Sequence, residues 1–181
     1  EIVFSSSGTS SSIQSMHYVS SLDLYKESFL KGFEHFYENP EQYCILGLLP
    51  AYLERTGSSL IYMVNELIQK SKNPKSGFFL NNLGELANAL QQNEKDGIKS
   101  LLIGVTFALL DFADEFPMEL KNTIVMETGG MKGRREEMIR EEVHSHIKKA
   151  FSLDRVHSEY GMTELLSQAY SSGKGLFSCP P

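Results

Sequence analysis

Residues 100–130 read SLLIGVTFALLDFADEFPMELKNTIVMETGG. The run Ser100–Val105 is short, apolar and of strand length, and residues 107–116 after it read as a helix. Pro117 stops that helix, because proline brings no N–H and clashes with the preceding turn. Residues 123–126 form a second strand-like run, and Glu127-Thr128-Gly129-Gly130 follows it directly. Two such strands with a helix between them make the unit of a parallel sheet, which needs a crossover connection.

The same alternation extends outward. Residues 43–49 are apolar apart from Gly47, which suits a strand buried on both faces, and Pro50 stops it. Before it, Leu22, Tyr25, Phe29, Phe33 and Phe36 recur at helical spacing over 22–37, and Asn39-Pro40 closes that helix. Helices are predicted over 58–70 and 80–92, with Asn73-Pro74 breaking the chain between them. Towards the C-terminus the pattern predicts the longest helix over 131–151, a short strand over 155–157 and a last helix over 162–170. Ile2-Val3-Phe4 reads as an opening strand. The expected fold is α/β, a mostly parallel sheet of about five strands with about six flanking helices.

Composition narrows the class. At 181 residues the chain suggests one domain, and with 41% hydrophobic and 22% charged residues it is globular rather than disordered. Lys plus Arg is 17 against 23 Asp plus Glu, giving a net charge of −6, which argues against a nucleic-acid partner. Two cysteines, Cys44 and Cys179, make neither a disulfide framework nor a zinc site and suit a cytoplasmic protein. There is no apolar run long enough for a membrane span and no signal-peptide pattern. The chain opens on Glu1 rather than Met and stops just after apolar Leu176-Phe177, so 1–181 reads as one α/β segment of a longer protein, with parts missing on both sides.

Three segments carry candidate chemistry. Ser5–Ser12 holds one glycine and seven hydroxyls between an expected strand and an expected helix. Its backbone N–H groups and hydroxyls can converge on phosphate oxygens, although the same composition also suits a flexible linker. The second segment, Glu127-Thr128-Gly129-Gly130, is a ligand-approach turn or a plain strand-to-helix turn. The third, His157-Ser158-Glu159-Tyr160-Gly161-Met162-Thr163-Glu164, offers a ring that can stack, a glycine that lets backbone approach, a hydroxyl and a carboxylate. Glu164 suits Mg²⁺, which takes one or two carboxylates plus phosphate oxygens; it equally suits a helix N-terminus.

Taken in this order, Ser-Ser-Ser-Gly-Thr-Ser, Thr-Gly-Gly and Tyr-Gly-Met-Thr-Glu resemble the adenylate-forming superfamily of acyl-CoA synthetases, luciferases and adenylation domains. The likeness is nearer to its acyl-protein synthetase (LuxE-like) branch, and stretches such as 43–62, 101–112, 126–135 and 157–170 extend it along nearly the whole chain. The resemblance implies an enzyme that activates a carboxylic acid, with a fatty acid the expected case, as an acyl-adenylate. The acyl group then passes to a thiol on CoA or on a partner protein. It implies ATP and Mg²⁺ as cofactors. Ser6, Ser7, Gly8, Thr9, Ser10 and Ser11 would hold the β- and γ-phosphates. Thr128, Gly129 and Gly130 would line the adenine pocket, and Tyr160, with Gly161 and Met162 beside it, would stack on adenine. Thr163 would contact the α-phosphate, Glu164 would bind Mg²⁺, and Phe107 and Ala108 would line the acyl pocket.

The sequence departs from that family pattern in two ways. The usual lysine of the phosphate loop is missing, leaving His17 and Lys26 as the nearest cations. A downstream ribose-binding Asp and catalytic Lys are not found within the 17 residues after Glu164. The alternative is therefore a nucleotide- or acyl-adenylate-binding module without chemistry, or an acyltransferase subunit that needs a partner.

Other residues read more plainly. His144 and His146 are expected on different helix faces, and Glu136 with Arg140 as an i, i+4 pair on a solvated one. Cys44 and the Phe/Tyr stripe read as core, and His157 as a hydrogen-bonded core histidine. Cys179 is a thioester candidate that lacks an activating base among its sequence neighbours.

Overall fold

The computed structural model describes residues 2–5, 15–50, 57–80, 82–131 and 133–180. Eight strands lie among them: β1 (Ile2–Ser5), β2 (Met16–Val19), β3 (Cys44–Leu48), β4 (Gly77–Phe78), β5 (Ser100–Val105), β6 (Thr123–Thr128), β7 (His157–Tyr160) and β8 (Ala169–Ser171). The α-helices are α1 (Leu22–Tyr37), α2 (Ser59–Ser71), α3 (Leu83–Asp96), α4 (Thr106–Glu115) and α5 (Arg140–Phe151), and a 3₁₀ turn spans Pro40–Gln42.

The main sheet has the order β4-β3-β5-β6-β7-β8, parallel throughout except that β8 runs antiparallel to β7. The α/β, mostly parallel sheet expected from the sequence is therefore present. Every residue of β3 and β5 is buried, and apart from Ser100 these strands are apolar along their length rather than alternating. Consecutive strand residues point to opposite faces. Tyr37 of α1 bonds to His157 while His144 of α5 meets Ser158, so α1 and α5 cover opposite faces of the sheet. Helix α2 packs with α1, and α4 packs with α5.

Local signals explain the helix ends. Ser21, Ser58 and Asn82 accept backbone N–H groups at the starts of α1, α2 and α3. Gly97 ends α3 at φ 67°, a left-handed conformation that glycine adopts without a Cβ penalty. Gly104 has no Cβ to collide with Leu109, whose side chain would lie 2.8 Å away, so α4 can fold tightly back on β5.

Several expectations are corrected. The expected helix over 131–151 begins only at Arg140, so α1, with 16 residues, is longer than the 12 of α5. Gly133 has φ 68°, and Arg135 is drawn back to Asp111 and Asp114 of α4, which holds the start of this stretch out of the helix. Glu136 lies outside the helix, so the expected Glu136–Arg140 pair is not made; Arg140 instead reaches Glu127. The expected helix over 162–170 is a turn leading into β8. Met162, Leu165 and Leu166 have helical spacing, but all three are exposed, and pairing with β7 claims 169–171. The strand expected over 155–157 lies at His157–Tyr160. Strands β2 and β4 were not anticipated, because four and two residues carry too little pattern. No helix among the described residues is long and apolar enough to cross a membrane.

Candidate functional site

The carboxyl ends of β5, β6 and β7 lie side by side, where open α/β sheets place their ligands. Register sets Glu127 opposite Ser158 and Thr128 opposite Glu159. Glu127 and Ser158 therefore share the α5 face, and Thr128 and Glu159 share the α1 face.

On the α5 face, Glu127 is 5% exposed. Its Oε2 accepts from Thr106 Oγ1 at 3.0 Å, and its Oε1 accepts from Arg140 Nε at 3.3 Å. Burial pushes this carboxyl up, but the polar groups of His144, Ser158 and Thr106 and the Arg140 charge outweigh it and hold it below the usual carboxylate range. Ser158, His144 and Glu127 invite comparison with a nucleophile–base–acid triad. However, Ser158 Oγ at 3.4 Å and Glu127 Oε1 at 3.6 Å both approach His144 Nε2. A relay needs opposite ring nitrogens, so the cluster is structural.

A cleft of about 220 Å³ opens on this face, lined by Thr106, Glu127, Gly129, Gly130, Met138 and Arg140 among others. Pockets that enclose a whole small ligand run to about 300–1,000 Å³, so this one suits a single ring or a comparable part of a larger ligand. Gly129 has φ 76°, and a methyl group on Gly130 would meet nothing within 4 Å, so backbone lines the opening. At the cleft's polar wall, the Arg140 guanidinium lies 5.0 Å above the Phe177 ring, which meets Tyr160 edge-on at 5.9 Å.

On the α1 face, Glu159 is 6% exposed and accepts from Thr128 Oγ1 at 2.5 Å. Burial, the dominant cause, and the nearby Glu127 charge raise its carboxyl to about 7 despite the Thr128 bond. His157 on the same face shares a 3.0 Å hydrogen bond with Tyr37 Oη, as a core histidine should. Burial, with help from Arg155 and His144, depresses it to about 4.

The sequence-predicted residues divide. Gly129 and Gly130 line the cleft, and Thr128 is tied to Glu159 one strand away. Tyr160 is 47% exposed and packs on Phe177. Gly161 lies against Glu159 Oε1, and Met162 is exposed. Thr163 and Glu164 sit on the turn between β7 and β8 rather than at a helix start, so no helix dipole acts on Glu164. His17 Nε2 stands 4.0 Å from Glu164 Oε2. The other candidate cation, Lys26, is held by Glu66.

Phe107 and Ala108 are buried in the first turn of α4, with Arg134 5.4 Å over the Phe107 ring; Thr106, not these two, lines the cleft. Ser6, Ser7, Gly8, Thr9, Ser10 and Ser11 lie outside the described residues. Their flanks are β1 and β2, paired antiparallel, so this segment joins two strands rather than the strand and helix expected. His144 is buried at Glu127 and His146 lies 2.6 Å from Asp114, on separate sides as expected. Cys44 is buried and Cys179 is exposed.

Sequence reasoning did not assign Glu127, Glu159, Arg140 or Thr106. The available signal was a carboxylate at the end of each of two buried strands.

No family model, no curated protein and no solved structure matches the chain.

Proposed function

We propose that this chain is the nucleotide-handling part of an ATP-dependent acyl-adenylating ligase. A carboxylate oxygen of the acid attacks the α-phosphorus of ATP, the bond to the β-phosphate breaks, and pyrophosphate leaves. A thiol sulfur on CoA or a partner protein then attacks the acyl carbonyl, and AMP leaves. The observation that carries this reading is convergence. Thr128, Gly129 and Gly130, the turn 160–164 and, through His17, the flank of the Ser-rich segment all meet at one end of the parallel sheet.

The part-ligand size of the cleft suits an adenine ring, with Gly129 and Gly130 offering backbone to its edge. The half-exposed Glu164 carboxylate suits Mg²⁺, which is usually held by one or two carboxylates with phosphate oxygens and water completing the shell. Among the described residues no group of three or more metal-binding side chains exists, so an all-protein metal cage is not part of this reading. Bound Mg²⁺ would neutralise phosphate charge. His17 would lie nearest the phosphates, and the chain's own part is to orient the base and the acid.

The test is thermal denaturation with Mg·ATP and with a non-hydrolysable acyl-adenylate mimic. A ligand at 100 times its Kd adds about 2.7 kcal/mol, a rise of about 5–10 °C at this size. Tyr160→Ala and Glu164→Ala should each diminish it. A rise that neither change affects would refute the assignment.

A further inference from the structure

Arg140 meets the α5-face cleft with most of its donors open. Its Nε donates to Glu127 at 3.3 Å, and its Nη groups make no hydrogen bond among the described residues. Arg135, earlier in the same stretch, is spent differently: Nε goes to Asp111 at 2.9 Å and Nη2 to Asp114. On the α1 face, polar side chains are likewise bound to one another. Gln168 Nε2 donates to Tyr25 Oη at 3.5 Å, and Tyr37 Oη pairs with His157.

The open end of Arg140 is also held in place. The face of the guanidinium lies 5.0 Å above the Phe177 ring, and its Nε edge is fixed by the buried Glu127 carboxylate. Contacts to the face and to one edge limit where the Nη pair can point, so little freedom is left to lose on binding. A fork of this shape matches two oxygens of a carboxylate or a phosphate. Glu127 does not consume it, because that carboxylate is shared with Thr106 Oγ1 at 3.0 Å and with the polar groups of His144 and Ser158. Glu137, also on the lining, is exposed, where water and salt screen its charge. The rest of the lining is apolar at Met131, Met138 and Val143. One cleft therefore offers an apolar wall for a ring or chain and a donor fork for an anionic end.

We infer that this cleft binds a ligand that carries an oxyanion, with the ligand's apolar part against Met131, Met138 and Val143 and its oxyanion on the Nη pair of Arg140. Two sources share this chemistry, the phosphate of a nucleotide and the carboxylate of an organic acid. The nucleotide source rests on the ligase reading above; the oxyanion site does not.

Isothermal titration without Mg²⁺ reads the charge through two matched pairs, AMP against adenosine and hexanoate against hexanol. In at least one pair the anion should bind about tenfold more tightly than its neutral counterpart. Arg140→Gln should abolish that advantage and leave binding of the neutral compound unchanged. An advantage in the AMP pair makes phosphate the source, and one in the hexanoate pair makes it the carboxylate. No advantage in either pair, or one that Arg140→Gln leaves intact, overturns the inference. Arg140→Gln also takes a partner from the Glu127 charge, whereas Arg140→Lys keeps a cation there and removes only the fork. If the first variant does not fold, a loss of about threefold or more in the second carries the test, and wild-type affinity overturns it. The two readings fail separately. If hexanoate gains through Arg140 and neither AMP nor adenosine binds, the ligase reading fails and the oxyanion site stands. If AMP binds the wild type and Arg140→Gln alike and hexanoate gains nothing, the ligase reading stands and the oxyanion site falls.

Discussion

Glu127 and Glu159 are the same residue type, buried to the same degree, at the ends of adjacent parallel strands. They nevertheless meet opposite environments. Glu127 faces Arg140, His144 and Thr106 and is held below the usual carboxylate range; Glu159 faces Thr128 and a wall of tyrosines and is raised to about 7. A single step in register, turning one side chain to α5 and the other to α1, decides between charged and neutral forms. Burial alone therefore does not fix the state of a carboxyl; the partners available on that face do.

The largest test of this contrast is the pH dependence of stability. Glu159 has a folded value above its unfolded 4.5, so the native state binds more protons between the two. Its contribution is full below about pH 4.5 and is lost as pH rises through about 7, on the order of 3 kcal/mol. Glu127 runs the other way: its contribution is present above the unfolded value and lost as pH falls through the lowered folded one. Urea titrations from pH 2 to 8 should show Glu159→Gln flattening the neutral limb and Glu127→Gln flattening the acid limb. If both changes flatten the same limb, the two environments are not distinct.

A smaller effect is expected at fixed pH. At pH 7, Glu127→Gln should cost about 2 kcal/mol in urea unfolding, because Arg140 and Thr106 lose a charged acceptor. Glu159→Gln should cost less or stabilise, since a neutral amide can still accept from Thr128. The reverse order would mean that the partners on the α5 face do not compensate the Glu127 charge.

The smallest effect concerns the glycines beside each carboxylate. A methyl group on Gly161 would meet Glu159 Oε1 at 2.8 Å, whereas one on Gly130 would meet nothing within 4 Å. Gly161→Ala should cost about 1 kcal/mol and Gly130→Ala under about 0.5. A double-mutant cycle with Glu159→Ala should remove the Gly161 cost, and an unchanged cost would place the clash elsewhere.

Much of this fold is legible in the sequence, and the reason differs by element. Ser100–Val105 is found with its observed bounds, because an apolar run buried on both faces has no competing interpretation. Leu22–Tyr37 is found too, since its five apolar positions repeat over several turns. The stretch 162–170 misleads: its apolar spacing mimics a helix, while the pairing that makes β8 is a tertiary contact with β7. The stretch 131–139 misleads because Gly133 and the pull of Asp111 and Asp114 on Arg135 act through space. At the candidate site, Gly129 and Gly130 are visible as a motif, but Glu127 and Glu159 gain meaning only from register and from which helix covers each face.

The bond between Gln168 and Tyr25 also has a consequence for the order of assembly. It joins residues 143 positions apart, whereas β5 and β6 pair through the single crossover of α4. Closing a longer loop costs more chain entropy before any contact repays it. The sheet centre should therefore form early in folding and the α1 face last. A chain emerging from the ribosome would carry a finished α4 face while Tyr25 still waited for its partner. Protection of backbone amides from exchange should appear in that same order.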